Sequence, residues 1–278
     1  MKFFYKVYQM YNLSLIDNLP VIKRARFFYL YDIHGKRYLD LYLNGGKNFL
    51  GYRLQGLNRL FKQTMSRGLI SPYPSVFKNQ FVNLIFTFFK EAGSVYIFKL
   101  EQDAKKFLLS LTGKDKVFMP WEKGEGIYEF KVGFNNIKYP MIFNIPLPDY
   151  TSVSIVVIDN ISRKIKFKDN FDALTLSLAR HTLSKLLLYK KNFNVDFNFF
   201  ATSLFKVIDR YMFPLYDACY HAEIFNEFLK YGYLISPDFN IPSIVPLKFS
   251  KGDLDNFKKI CFDLKNKFID GLDSDSYK

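Results

Sequence analysis

Two cysteines, one tryptophan, three histidines and eight alanines are all that this 278-residue chain holds of those types. Cys219 and Cys261 are too few for a disulfide framework and lack Cys-x-x-Cys spacing, which fits a reducing compartment. So small a stock of His and Cys leaves few players for histidine acid–base or thiol catalysis. No Gly-x-Ser-x-Gly, His-Glu-x-x-His, phosphate loop or Gly-x-Gly-x-x-Gly occurs. Long hydrophobic runs are missing too. Apolar stretches such as 81–89 reach about half a membrane span, and Lys6, Gln9, Asn12 and Asp17 interrupt the apolar N-terminus, leaving no secretory core. The expectation is a cytoplasmic chain with no membrane insertion.

What is present is aromatic and basic. Hydrophobic residues make up 49% of the chain and aromatics 19%, which excludes a mostly disordered polymer; 32 Phe and 20 Tyr beside so little Ala reflect A/T-rich coding. The formal net charge is +14, and a field of that sign attracts phosphate polyanions. Only nine of the 40 basic residues are Arg, however, and the densest runs (163–168, 190–191, 258–259) lie far apart. Scattered, solvated lysines weigh against a nucleic-acid surface, so a basic module for anionic ligands or nucleic acid rests on net charge alone.

Residues 27–43 carry apolar and aromatic residues on both sides of Asp32-Ile33-His34-Gly35-Lys36, the pattern of a β-hairpin. Apolar spacing predicts helices over 54–65, 76–91, 100–111, 173–188, 204–211, 222–230 and 253–268. Strands are expected at 95–98, 153–158, 233–236 and 243–248, with a second hairpin over 127–143 around Asn135-Asn136. Asp217, Cys219 and His221 alternate in ligand type, yet match no zinc spacing, and the plain reading is one histidine that happens to lie near a cysteine. No metal is expected.

The order of motifs resembles class III, fold-type I pyridoxal-phosphate aminotransferases. Segment 29–52, YLYDIHGKRYLDLYLNGGKNFLGY, is similar to the family's DxxGxxYxD hairpin, Gly-rich turn and LGH, with Asp32, Gly35, Tyr38, Asp40, Leu50 and Gly51 in place and Tyr52 at the His position. Segment 224–259 is similar to the closing run of glutamate-1-semialdehyde aminomutase, with Gly232, Tyr233, Leu234, Pro237, Phe239, Leu247, Asp253 and Asp255 in register. Thr112 to Val117 looks like the TGRDKI that follows the helix holding the cofactor phosphate.

This resemblance implies an α/β, aspartate-aminotransferase-like fold: a reduced, mostly parallel central sheet with a small α+β domain from both chain ends. The implied boundaries are 1–52 and 205–278 for the small domain and 53–204 for the large one. It makes Asp159, after the VVI strand, the partner of a pyridine nitrogen, Lys185 in Thr182-Leu183-Ser184-Lys185 the Schiff-base lysine, and Trp121 a ring-stacking aromatic. A rival register puts Leu178 at the lysine position, and a third reading matches the VVID strand to an earlier one, with both functional residues deleted. Read without the family, Lys185 is a solvated lysine on an amphipathic helix and Trp121 a core aromatic.

Departures from the family pattern fall on the cofactor's side. Where small residues should cradle phosphate, Phe98-Lys99-Leu100-Glu101-Gln102-Asp103-Ala104 offers bulk and two carboxylates, with Lys99 as partial compensation. Asn160 replaces the family's Glu, the Gly-rich run after the lysine is absent, and the chain is shorter than typical members of the family it resembles. The resulting expectation is a pseudoenzyme binding no pyridoxal phosphate, with a structural or partner-binding role as a homodimer or beside a related aminotransferase-fold protein. The alternative is a divergent pyridoxal-phosphate aminotransferase or aminomutase using Lys185.

Overall fold

The computed structural model describes residues 14–52, 54–69, 71–90, 92–121, 139–147, 151–159, 164–192 and 196–270. Along the chain run strands β1 (Ile22–Arg26), β2 (Tyr29–Asp32) and β3 (Arg37–Asp40), then helices α1 (Leu57–Ser66) and α2 (Val76–Phe88). Strand β4 (Ser94–Phe98), helix α3 (Glu101–Thr112), strands β5 (Met141–Asn144), β6 (Ser154–Ile158) and β7 (Lys164–Phe167), and helix α4 (Ala173–Asn192) follow. The chain closes with β8 (Phe205–Ile208), β9 (Tyr211–Pro214), α5 (His221–Lys230), β10 (Tyr233–Leu234), β11 (Ser243–Ile244) and α6 (Lys251–Lys265). Among the described residues no helix is long and apolar enough to cross a membrane. The expected turn at Asn135-Asn136 lies outside the described residues.

The chain forms two compact units. The first joins 1–53 to 195–278. Its larger sheet has the order β1-β2-β3-β10, antiparallel until β10, which pairs in parallel with β3 (Tyr233 opposite Leu39). Asp32 explains the hairpin: its carboxylate accepts from the backbone N–H of His34 and Lys36 and from the Tyr38 hydroxyl, while Gly35 takes φ +85° at the turn. Asp40 does the same one strand-length later, accepting from the N–H of Tyr42 and Leu43 and from the Tyr52 hydroxyl. Tyr29 and Arg37 then reach Asp253 of α6, at 2.7 and 2.6 Å, where Ser250 and Asp253 form a capping box. An aromatic core of Phe200, Phe205, Phe228, Tyr233 and Phe257 fills the unit. Each such fully buried ring contributes about 1.5–3 kcal/mol.

The helix expected over 204–211 is instead the hairpin β8–β9 of a second, three-stranded sheet ordered β11-β9-β8. Phe205 and Val207 are buried while Lys206 between them is exposed, a period of two, and Asp209 turns the chain at φ +55°.

The second unit spans 54–194. Its sheet, β5-β6-β4-β7, is covered on one face by α3, where Phe98, Ala104, Leu108, Ile142 and Val156 pack together. On the other face Phe143 meets Phe88 and Phe89 at the end of α2. Helix α4 packs on α1 and α2, its start held by Asp172, which accepts from both the N–H and the hydroxyl of Thr175. The expectation of a mostly parallel sheet is corrected here: β6 runs antiparallel to both neighbours, and only β4 with β7 is parallel. Strand β5 pairs with β6 in antiparallel register, Met141 opposite Val157 and Asn144 opposite Ser154, so the two lie as neighbours of opposite direction.

Candidate functional site

Strands β4, β5 and β7 end at the same edge of the second unit's sheet, the edge at which open α/β sheets bind ligands. Helix α3 starts there, presenting backbone N–H groups and the positive end of its dipole. The residues around that helix end are polar and already joined to one another. Glu101, in the first turn, accepts a 2.6 Å hydrogen bond from Asn144 Nδ2 on one carboxylate oxygen and pairs with Lys105 at 2.6 Å through the other. Ser154 Oγ donates to Asn144 Oδ1 at 2.7 Å, extending the chain of bonds to β6. Asp169, beyond β7, accepts the Lys99 N–H at 2.7 Å, and Ser152 donates to the Lys99 carbonyl.

Leu100 is the N-cap and provides no side-chain cap, and Asp103 adds a second carboxylate to the first turn. Lys99 is exposed, with its ammonium 5.7 Å over the Phe171 ring, and Lys168 lies over Phe107 and Tyr96. The chain's own carboxylates therefore sit where a phosphate dianion would need donors. The residues at this helix end do not fit a phosphorylated cofactor.

The three residues singled out by resemblance are placed as follows. Asp159 follows β6 and is exposed. Since β6 runs against β4, with Ser94 opposite Ile158 and Phe98 opposite Ser154, Asp159 stands at the far edge of the sheet from the start of α3. Along five strand residues that is about 16 Å, further than one pyridine ring and its phosphate arm extend. Lys185 is half-buried on α4, one turn beyond His181, whose Nε2 lies 2.8 Å from the Gln55 carbonyl. Burial, with Lys185 and Arg180 nearby, holds the His181 imidazole below its ordinary value. Among the described residues Lys185 makes no ion pair with Asp159. Leu178, the rival position, is buried in the same helix. Trp121 is half-buried in a turn after Val117, which bridges to Ile142 of β5.

Asp217, Cys219 and His221 do not converge. His221 is buried with one ring nitrogen 3.1 Å from the Tyr216 hydroxyl and the other 3.0 Å from the Ser236 carbonyl, whereas Cys219 is exposed. Among the described residues no three His, Cys, Asp or Glu side chains are grouped to hold a metal. Sequence reasoning found Glu101 through its place in the helix. It missed Asn144, Ser154 and Asp169, which reach the same edge through strand pairing that no local signal encodes.

No protein-family model matches the chain. An uncharacterized protein of Borreliella burgdorferi strain B31 is 87% identical over 269 residues, covering 97% of this chain and all of that protein. The chain belongs to that protein's family. An uncharacterized Treponema pallidum protein is 40% identical over 65 residues, 23% of this chain and 21% of its own length. Among solved structures, a glutamate-1-semialdehyde aminomutase from Pseudomonas aeruginosa PAO1 in complex with PMP aligns with TM-score 0.67 at 12% identity, covering 90% of this chain and 88% of that one. An ornithine aminotransferase from Plasmodium yoelii aligns at 0.64 and 11% over 88% and 92%, and an acetylornithine aminotransferase from Elizabethkingia anophelis at 0.62 and 13% over 90% and 94%. The fold of this family is thus that of the class III aminotransferases.

Proposed function

We propose that this chain is a catalytically degenerate, cytoplasmic member of the aminotransferase fold, kept for a structural or partner-binding role with a second copy or a related aminotransferase-fold chain. One observation carries the reading: at the start of α3 the Asn144 amide and the Lys99 N–H already donate to the carboxylates of Glu101 and Asp169, and Glu101 and Asp103 put negative charge in the first turn, where a cofactor phosphate would need donors. The motif residues point the same way. Asp32, Gly35, Tyr38, Asp40, Gly51, Gly232 and Asp253, which carry the resemblance, all serve the packing of the first unit. The departures fall at the phosphate cradle, Leu100, Glu101 and Asp103, and at Asn160.

The energetic argument is that a phosphate dianion is held by several charge-assisted hydrogen bonds, each worth roughly 1.5–3 kcal/mol. Replacing three of them by like charge weakens binding by several orders of magnitude, more than one lysine Schiff base restores. An absorbance titration with pyridoxal phosphate tests this. The expected result is no saturable band beyond that of free cofactor. A saturable band that vanishes in Lys185→Ala and persists in Lys206→Ala would establish the live-enzyme alternative instead.

A further inference from the structure

Three of the nine arginines fall between positions 24 and 37, and strand register gathers them on one face of the first unit's larger sheet. Arg24 stands opposite Tyr31, which stands opposite Arg37; one row along, Arg26 stands opposite Tyr29. Each guanidinium lies over a ring: Arg24 over Tyr31 at 4.3 Å, Arg37 over Tyr29 at 4.7 Å and Arg26 over Phe27 at 5.3 Å. Lys248 joins them, 5.4 Å over Phe27 from the other end of the chain.

Stacking on a ring orients a guanidinium but leaves the N–H donors along its edge unused. Arg37 commits one of its terminal nitrogens to Asp253, at 2.6 Å. Arg24 and Arg26, both exposed, make no hydrogen bond or ion pair among the described residues. Charge on an edge strand such as β1 also discourages strand-to-strand aggregation, but any cation does that, and this chain otherwise favours Lys by more than three to one. Selecting Arg at both positions selects the planar fork that grips phosphate in two places.

Phe27 adds an independent sign. Its φ is +55°, in the left-handed region, yet the residue is 42% exposed and so does not owe its place to core packing. The backbone there is fixed, because the Phe27 carbonyl accepts the Tyr52 N–H at 2.7 Å and crowds Gly51, where a Cβ would come within 2.9 Å. Glycine would suit this turn better. A strained, exposed aromatic flanked by two cations is a mark of a binding surface.

We propose that this face, built by Arg24, Arg26, Phe27, Tyr31 and Lys248, binds single-stranded nucleic acid, with the arginine edges and Lys248 on phosphates and the Phe27 ring against a base. A lipid surface is disfavoured because the tyrosine rings lie beneath guanidinium groups rather than projecting outward. The inference is independent of whether the chain is an enzyme.

The test is fluorescence anisotropy of the full-length protein with a labelled single-stranded RNA at several salt concentrations, beside the same-sequence duplex and phosphatidylserine vesicles. Expected is binding that weakens with salt and favours the single strand. Arg24→Gln with Arg26→Gln should lower the salt slope by about 1.4. Lys258→Gln with Lys259→Gln removes equal charge from the exposed part of α6 and should lower affinity less than the arginine pair does. Phe27→Gly should weaken binding while raising the melting temperature, a pair of opposite signs that a merely structural residue would not give. No binding at low salt, equal losses from the two double variants, preference for vesicles or duplex, or a fall in melting temperature with Phe27→Gly would each overturn the proposal.

Discussion

Asp40 and Asp253 are both carboxylates of the first unit, and their surroundings push them in opposite directions. Burial raises the fully buried Asp40 carboxyl above its ordinary value despite hydrogen bonds from Tyr52, Leu43 and Tyr42. Burial would raise Asp253 too, but Ser250, Tyr29 and Arg37 outweigh it and hold that carboxyl below the usual range. A depressed carboxylate stabilises the fold in neutral solution, and this is lost as pH falls from about 4 through its folded value. A raised one behaves conversely: its contribution is greatest in acid and declines as pH climbs from about 4 to the folded value. Thermal unfolding from roughly pH 3 to pH 8 should therefore show Asp253→Asn flattening the acid limb, with a loss of about 1.5–3 kcal/mol at neutral pH. Asp40→Asn should remove the decline toward neutrality. An Asp40→Asn profile parallel to that of the parent chain would mean that Asp40 does not titrate in this way.

Elements differ in how much of themselves they declare locally. The β2–β3 hairpin was legible because Asp32, Gly35 and Tyr38 lie within seven residues and make their contacts within that span. Two glycines of equal φ show where local reading ends. Gly35 and Gly232 both adopt +85°, but a Cβ on Gly35 meets nothing within 4 Å, whereas one on Gly232 would lie 2.8 Å from the Arg37 carbonyl oxygen, across the β3–β10 pairing. Gly35→Ala should cost about 1–2 kcal/mol for the left-handed backbone. Gly232→Ala should cost clearly more, above about 3 kcal/mol, because a backbone atom cannot move aside. Urea denaturation of the two variants compares them directly. The same distinction explains the misread stretch 204–211, where a short apolar run suits either period and only β9, lying beyond the turn at Asp209, decides for a strand. It also explains the sheet of the second unit: Ser94 cannot announce that Ile158 is its antiparallel partner, so the remoteness of Asp159 from α3 was invisible. The basic face of β1 was hidden for the same reason, since Arg24 and Arg37 become neighbours only through Tyr31.

For the molecule as a whole, the decisive feature is that one unit is continuous in sequence and the other is not. Residues 54–194, expressed alone, should unfold cooperatively in a thermal melt monitored by circular dichroism. Residues 1–53 alone should show no sheet signal and should gain it on mixing with 195–278, because Tyr29, Arg37 and Leu39 find their partners at Asp253 and Tyr233. A cooperative melt from 1–53 by itself would count against that interdependence. The consequence reaches back to synthesis. Leu39 leaves the ribosome long before Tyr233, and at about 5–20 residues per second the wait is roughly ten to forty seconds. Throughout that interval Phe28, Leu30, Leu39 and Leu41, all buried in the finished protein, are without their final neighbours, while the middle of the chain can already fold. The growing polypeptide thus carries an unfinished hydrophobic strand pair ahead of a completed core, and chaperones that shield such surfaces would meet this chain early and stay until its last helix emerges.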